Sequence, residues 1–216
     1  MHFSFLLSSL ALLATVSAMP SSLLVRNGKT TPSLTTEQLL EIAPNAETCE
    51  GAEFPEECAT AEQAVPHIVH AFVRYGVKSP AEQAALISLM ALESGEFKYN
   101  RNHFPPPGTP GQGTRNMQSP DFNKQYAASI PNLHVEDPED PDKVLDALLA
   151  CPNLDFGSAA WFLTSQCSEE IRSELQTGSQ EGWEKYLTDC IFTTVTDDRK
   201  TYWERAIKAL NVQSTS

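Results

Sequence analysis

Over most of the chain after Cys49, apolar residues recur at the spacing of one face of a helix, and capping signals divide this pattern into separate helices. Thr60-Ala-Glu-Gln63 has the form of a capping box, and it predicts a helix that runs to about Tyr75 and ends at Gly76. Further helices are predicted over residues 119–129, 140–151, 156–166, 180–191 and 197–210. The pattern therefore indicates a predominantly α-helical protein.

One predicted helix, from Pro80 to Ser94, differs from the others because it is apolar on every side. Ser79 and Pro80 form its start signal, with Glu82 placed to reach back to the cap. Between residues 84 and 92 only Ser88 interrupts a run of alanine, leucine, isoleucine and methionine. A helix of this kind belongs in the interior of a domain. Gly95 is expected to end it.

The segment from Glu96 to Gln118 is rich in proline and glycine, with Pro105-Pro106-Pro107 at its centre. This composition excludes a regular helix and predicts a shaped loop or a short β-hairpin. Long loops in compact domains are usually functional or disordered. The fold class expected from the whole chain is α+β, mainly helical, with strand pairing only in this loop.

The N-terminal residues predict export. An apolar run over residues 3–16 is followed by Val16-Ser17-Ala18, as in a signal peptide, and the run is too short for a membrane span. We therefore expect a signal peptide over residues 1–18, a linker or pro-segment over residues 19–48, and one domain over residues 49–216. The expected product is a secreted monomer that does not associate with membranes.

The chain has five cysteines, which in an exported protein are read first as disulfides. Cys49 and Cys58 are close in sequence and are expected to pair. Cys167 and Cys190 form the second predicted pair, which leaves Cys151 unpaired, although a bridge between Cys151 and Cys167 is an alternative.

A formal charge of -13 argues against nucleic acid as a partner, because nucleic acids reward basic patches. His67 and His70 lie three residues apart on a predicted helix, but they have no neighbouring ligands in the sequence, so we expect them to be structural. No metal and no cofactor are predicted.

Glu93 is the candidate catalytic residue, because it is an acid in the last turn of the apolar helix. Burial and the partial negative charge of a helix C-terminus both favour a proton-bearing carboxyl group. Such a group can act as a general acid. The alternative is that Glu93 faces solvent at a frayed helix end.

The residues after Glu93 combine flat rings with amides, as a carbohydrate site would require. The candidate substrate-binding residues are Tyr99, Asn102, His103, Thr114, Asn116 and Gln118.

Four segments in this order resemble the lysozyme-like superfamily, which includes family 19 chitinases, phage endolysins, lytic transglycosylases and a group of secreted fungal proteins. The segments are residues 79–97, 111–118, 156–162 and 202–210. The resemblance implies a lysozyme-like fold with a substrate cleft and a secreted glycoside hydrolase that cleaves β-1,4-linked N-acetylhexosamine polymers. It implies a polysaccharide partner (peptidoglycan, chitin or chitosan), with Glu93 as general acid and with Thr114, Asn116 and Gln118 lining the cleft or placing a water.

The sequence departs from inverting members of that superfamily, which carry a second carboxylate after the catalytic helix. Residues 97–118 contain no acid, so Glu96 is the nearest candidate for a second carboxylate. A mechanism with one carboxylate is one alternative. A catalytically inactive carbohydrate-binding or effector protein is the other.

Overall fold

The structure is a computed structural model that describes residues 33–214. The described part of the chain contains ten α-helices. They are α1 (Thr36–Ile42), α2 (Ala61–Tyr75), α3 (Pro80–Glu93), α4 (Pro120–Ala128), α5 (Pro141–Leu149), α6 (Pro152–Asp155), α7 (Ser158–Gln166), α8 (Glu169–Gln176), α9 (Gln180–Lys185) and α10 (Asp197–Ala209). A 3-10 turn over Pro44–Glu47 follows α1, and a π-helical turn over Tyr186–Cys190 continues α9.

The predicted helical class is confirmed, and the predicted strand content is confined to two bridges. Within residues 33–214, β-type pairing is limited to isolated antiparallel bridges between Arg101 and Gly113 and between Gly113 and Gln118. Both lie in the proline- and glycine-rich loop. Gly113 permits this close approach, because a Cβ atom there would lie 2.6 Å from the carbonyl oxygen of Asn100.

The apolar helix α3 forms the centre of the molecule. Every residue from Ala81 to Ala91 is buried, including the polar Gln83 and Ser88. Helices α1, α7, α8 and α10 pack around it, with α10 making the most extensive contact. The prediction that this helix is interior is therefore confirmed.

The start of α3 differs from the expected capping arrangement. The Ser79 side chain makes no capping hydrogen bond. Glu82 does not reach back to the cap; it is 1% exposed and accepts from Arg172 of α8 at 2.9 Å. The sequence signal was misread because a buried acid with a distant arginine partner has the same local pattern as a capping box.

Residues 33–48 are part of the packed body, so the linker or pro-segment expected over residues 19–48 is wrong for this part. Thr35 and Gln38 form a capping box at the start of α1, and the buried residues Leu39 and Ile42 join the core. The Gln38 side chain also donates to the carbonyl oxygen of Ala209 in α10. The apolar patch around residue 40 was therefore one face of a helix. The rest of the expected linker and the expected signal peptide, residues 1–18, lie outside the described residues.

Helix α2 agrees with its prediction, because both hydrogen bonds of the capping box are present and Gly76 ends the helix with φ of 67°. Helix α8 was not predicted. Its N-cap is Ser168, whose hydroxyl accepts from the Ile171 backbone N–H, and the helix buries Leu175. The predicted helix over residues 180–191 instead changes from α to π geometry at Tyr186.

Both predicted disulfides are confirmed, one between Cys49 and Cys58 and one between Cys167 and Cys190. Cys151 is a free, half-buried thiol. Such bridges are typical of oxidising compartments. None of the helices in the described part of the chain is both long and apolar enough to cross a membrane.

The pair formed by Glu82 and Arg172 should respond asymmetrically to substitution. Arg172→Met leaves a buried carboxylate unpaired, and we expect it to lower the free energy of unfolding by about 3 kcal/mol. Glu82→Met should cost less, because the Arg172 side chain is 24% exposed and can reach water. Urea unfolding of both variants and of the double variant measures the effects and their coupling. Equal losses in the two single variants would contradict this assignment.

Candidate functional site

A cleft of about 320 Å³ opens at the C-terminal end of α3, and we call it the Glu93 cleft. One set of lining residues is polar: Glu93, Gln112, Asn116, Gln118, Ser119, Thr193 and Arg199. The other set is apolar: Leu89, Met117, Phe122, Phe162, Ile191 and Phe192. The cleft therefore offers both an apolar surface and hydrogen-bonding groups.

Glu93 lies in this cleft, as the sequence predicted, but it has a cationic partner. Arg199 of α10 donates from Nη2 to Glu93 Oε1 at 2.5 Å, and the two side chains are 15% and 25% exposed. A guanidinium at this distance forms a charge-assisted hydrogen bond with the carboxylate. The site is thus an ion pair on the wall of a cleft, which removes the physical basis of the expected general acid.

Arg199 was not predicted as a site residue, although its position in the sequence indicates that it has an acidic partner. It occupies the third position of α10, after Asp197 and Asp198. A cation is disfavoured in the first turn of a helix, where the backbone carries partial positive charge. An arginine at such a position indicates an acidic partner elsewhere in the fold, and α10 packs along α3 so that Glu93 is that partner.

Three of the predicted substrate-binding residues form one hydrogen-bonded chain beside Glu93. Thr114 donates to Asn116 Oδ1 at 2.9 Å, and the Asn116 amide donates to Gln118 Oε1 at 3.3 Å. Gln118 in turn donates to Asn123 Oδ1 at 2.7 Å. Asn116 and Gln118 line the cleft, whereas Thr114 is fully buried and supports Asn116 from behind.

Glu96, the candidate second carboxylate, does not reach the cleft. It is 4% exposed and accepts from the Asn45 backbone N–H at 2.5 Å and from the Tyr202 hydroxyl at 2.6 Å. Burial and this hydrogen bond raise the pKa of Tyr202 to about 12. Glu96 has positive φ (57°), and it links the end of α3 to the segment after α1 and to α10. Its role is therefore structural.

Tyr99, Asn102 and His103 also lie outside the residues that line the Glu93 cleft. The Tyr99 hydroxyl donates to Glu53, and His103 Nε2 lies 2.8 Å from Glu57 Oε1. Asn102 accepts from the Thr109 backbone N–H. The loop separates the two groups because it folds back on itself, with Asn102 N–H donating to the Gln112 carbonyl oxygen. The residues predicted to bind sugar are therefore not brought together in one site.

The loop is held by a buried arginine that the sequence reading did not single out. Arg115 is 4% exposed and donates from Nε to Asp155 Oδ2 at 2.8 Å. Its other nitrogens donate to the backbone carbonyl oxygens of Glu57, Phe97 and Tyr99. Complete burial raises the pKa of Asp155, while the guanidinium opposes that rise. One planar donor thus bonds to three separate segments of the chain, at Glu57, at residues 97–99 and at Asp155.

Within residues 33–214, no group of three or more histidine, cysteine or acidic residues has an arrangement that could hold a metal ion. His67 lies 2.7 Å from Asn153 through Nδ1 and against the ring of Phe156.

Neither a protein-family model nor a solved structure matches the chain. A curated relative is the bifunctional dioxygenase (DOX)-epoxy alcohol synthase (EAS) of Fusarium oxysporum (strain Fo5176). It is 43% identical over an alignment of 159 residues, and the match covers 69% of this chain and 12% of the relative. The chain therefore spans only a small part of that protein.

This relative overturns the predicted function. Its name describes a dioxygenase and an epoxy alcohol synthase, so the prediction of a glycoside hydrolase acting on peptidoglycan, chitin or chitosan is wrong. The inactive carbohydrate-binding alternative and the polysaccharide partner fall with it. The error has a physical source: the segments that carried the resemblance are local helix and loop patterns, and such patterns do not determine a function.

Arg115→Met should destabilise the folded chain by about 3–5 kcal/mol near neutral pH, because it leaves Asp155 buried and uncompensated. Burial already raises the pKa of Asp155 and Arg115 opposes the rise, so the variant should raise that pKa further. The folded variant then binds more protons than the unfolded chain, and its stability falls as pH rises from about 4 towards 7.

Urea unfolding at both pH values measures this dependence. Arg115→Lys is the control, since it keeps a charge but loses the planar fork, and we expect an intermediate deficit with a weaker pH dependence. If Arg115→Met lowers the free energy of unfolding by the same amount at both pH values, the role given to Asp155 is contradicted.

Proposed function

We propose that the Glu93 cleft binds an amphipathic small molecule, one with an apolar part and with hydroxyl or epoxide oxygens. The chain would then be a ligand-binding module. The observation that carries this proposal is the mixed lining of the cleft: one set of residues is apolar, here called the apolar wall, and the other set is polar and includes an ion pair, here called the polar wall. Its volume of about 320 Å³ falls at the lower end of the range for small-molecule sites.

The apolar wall would hold the hydrocarbon part of the ligand. Phe122 and Phe162 meet edge to face, with ring centroids 4.7 Å apart, and Leu89 lies beside them as part of the core. Ile191 and Phe192 line the cleft after the π-helical turn. Apolar surface that a ligand covers on this wall contributes about 25 cal/mol per Å².

The polar wall suits oxygen atoms that are not themselves charged. An epoxide oxygen accepts hydrogen bonds, and the amides of Asn116 and Gln118 lie where such donors are needed. An alcohol can also donate to the Glu93 carboxylate. The network behind Asn116, in which Ser158 donates to its Oδ1 at 2.6 Å, fixes the orientation of this amide before any ligand binds.

The relative supports this ligand class. By its name, that protein is in part an epoxy alcohol synthase, and an epoxy alcohol has the combination of groups that the two walls suit. The matched region is 12% of the relative, which is consistent with a module of a larger protein. The proposal concerns binding by this module.

Two further proposals concern the scaffold and its compartment. We propose that the fold is lysozyme-like, on the order of the four resembling segments and the placement of Glu93 at the end of a buried helix. We propose that the protein is secreted, on the apolar N-terminal segment and the two disulfides. Neither proposal carries a carbohydrate-directed activity.

Titration calorimetry with an epoxydecanol and with decanol tests the proposed binding. We expect the epoxydecanol to bind about tenfold more tightly, because the polar wall gains one further hydrogen bond. Glu93→Gln should weaken epoxydecanol binding about tenfold, since it removes a charged acceptor.

Glu181→Gln is the matched control, because it makes the same substitution at an exposed position of α9. Thermal unfolding of each variant, followed by circular dichroism, separates loss of binding from loss of folding. Equal affinities for the two alcohols, or equal losses in the two variants, would overturn the proposal.

A further inference from the structure

We propose that Phe192 determines which length of apolar chain the Glu93 cleft accepts, and that the Cys167–Cys190 disulfide positions Phe192 for this role. The inference rests on the proposed function, because it names the specificity of the same cleft. Three observations support it: the backbone conformation of Phe192, the disulfide at the nearby Cys190, and the position of helix α7 at the other end of that disulfide.

Phe192 combines two features that stability alone does not explain. Its side chain is 76% exposed although it lines the cleft. Its backbone has φ of 58°, a region that an aromatic residue rarely adopts. A residue keeps this backbone conformation only where the surrounding structure enforces it, and residues of this kind are concentrated at ligand sites.

The segments on both sides of Phe192 are fixed. Ile191 N–H donates to the Tyr186 carbonyl oxygen at 3.0 Å, and Thr193 N–H donates to the Leu187 carbonyl oxygen at 2.9 Å. Both acceptors belong to the π-helical turn, a geometry that is frequent at functional sites. Phe192 therefore projects from a short turn whose two ends are bonded to one element.

The disulfide connects this turn to another element that lines the cleft. Cys190 is the last residue of the π-helical turn, and its partner Cys167 is the C-cap of α7. Helix α7 also carries Phe162, which lines the cleft beside Phe122. The bridge thus ties the turn that carries Phe192 to the helix that bears Phe162.

Two rings on linked elements of one cleft predict a dependence of affinity on chain length. Each methylene that becomes buried against the apolar wall should raise affinity about fourfold. Without the Phe192 ring, the additional methylenes of a longer chain remain in water and add little. A short ligand reaches fewer apolar residues, so its affinity should fall less than that of a long one.

The test measures the dissociation constants of an epoxybutanol, an epoxyhexanol and an epoxydecanol for the full chain and its variants. The unaltered chain should bind about fourfold more tightly per added methylene until the apolar wall is filled. Phe192→Ala should weaken epoxydecanol binding much more than epoxybutanol binding, so that most of the gain in affinity per methylene is lost. Phe192→Leu should restore most of it, which a purely conformational role of residue 192 would not predict.

Two disulfide variants provide the matched comparison. Cys167→Ser with Cys190→Ser should reduce the gain per methylene as Phe192→Ala does. Cys49→Ser with Cys58→Ser removes a bridge whose cysteines are not among the lining residues of the cleft, and it should leave the gain unchanged. Circular dichroism verifies that each variant is folded at the temperature of the titration.

The inference is overturned if Phe192→Ala keeps the full chain-length dependence, or if both disulfide variants reduce it equally. Failure of the unaltered chain to bind any of the three epoxy alcohols overturns the proposed function, and the inference falls with it. Binding that does not depend on chain length overturns the inference alone.

Discussion

The need to bury α3 on every side organises this protein. All residues from Ala81 to Ala91 are shielded from water, so other helices must cover each face of this one. The hydrophobic effect provides the driving force, and even Glu82, the acid within this buried stretch, is paired inside the structure. Helix α1 takes part in this cover, which is why residues 33–48 fold with the domain.

The same packing creates the candidate site. Because α10 lies along α3, Arg199 meets Glu93 at the point where α3 ends, and the ion pair forms one wall of the cleft. The loop after α3 supplies the amides of that wall, and Arg115 holds the loop through Asp155 and three backbone carbonyl groups. The turn after Cys190 closes the apolar side. The cleft is thus built from segments that are distant in sequence and that meet only because α3 is central.

Much of this fold could be predicted from the sequence, because its signals are local. The capping box at Thr60, the apolar run after Pro80 and the close spacing of Cys49 and Cys58 are signals within short segments, and each of these predictions is confirmed. The site depends on partners that no local pattern contains. Glu93 accepts a hydrogen bond from Arg199, and Glu96 accepts one from Tyr202. In each pair the two residues are 106 positions apart in the sequence. For this reason the position of Glu93 was predicted correctly, while its chemical role and the predicted glycosidase were not.

Native-state hydrogen exchange tests the central position of α3 most directly. If every other element depends on covering this helix, its amide protons should exchange only through global unfolding. The exchange free energies of residues 84–91 should then equal the free energy of unfolding measured in denaturant. Exchange of these amides through a partial opening, at lower free energy than the amides of α4 and α5, would contradict this account.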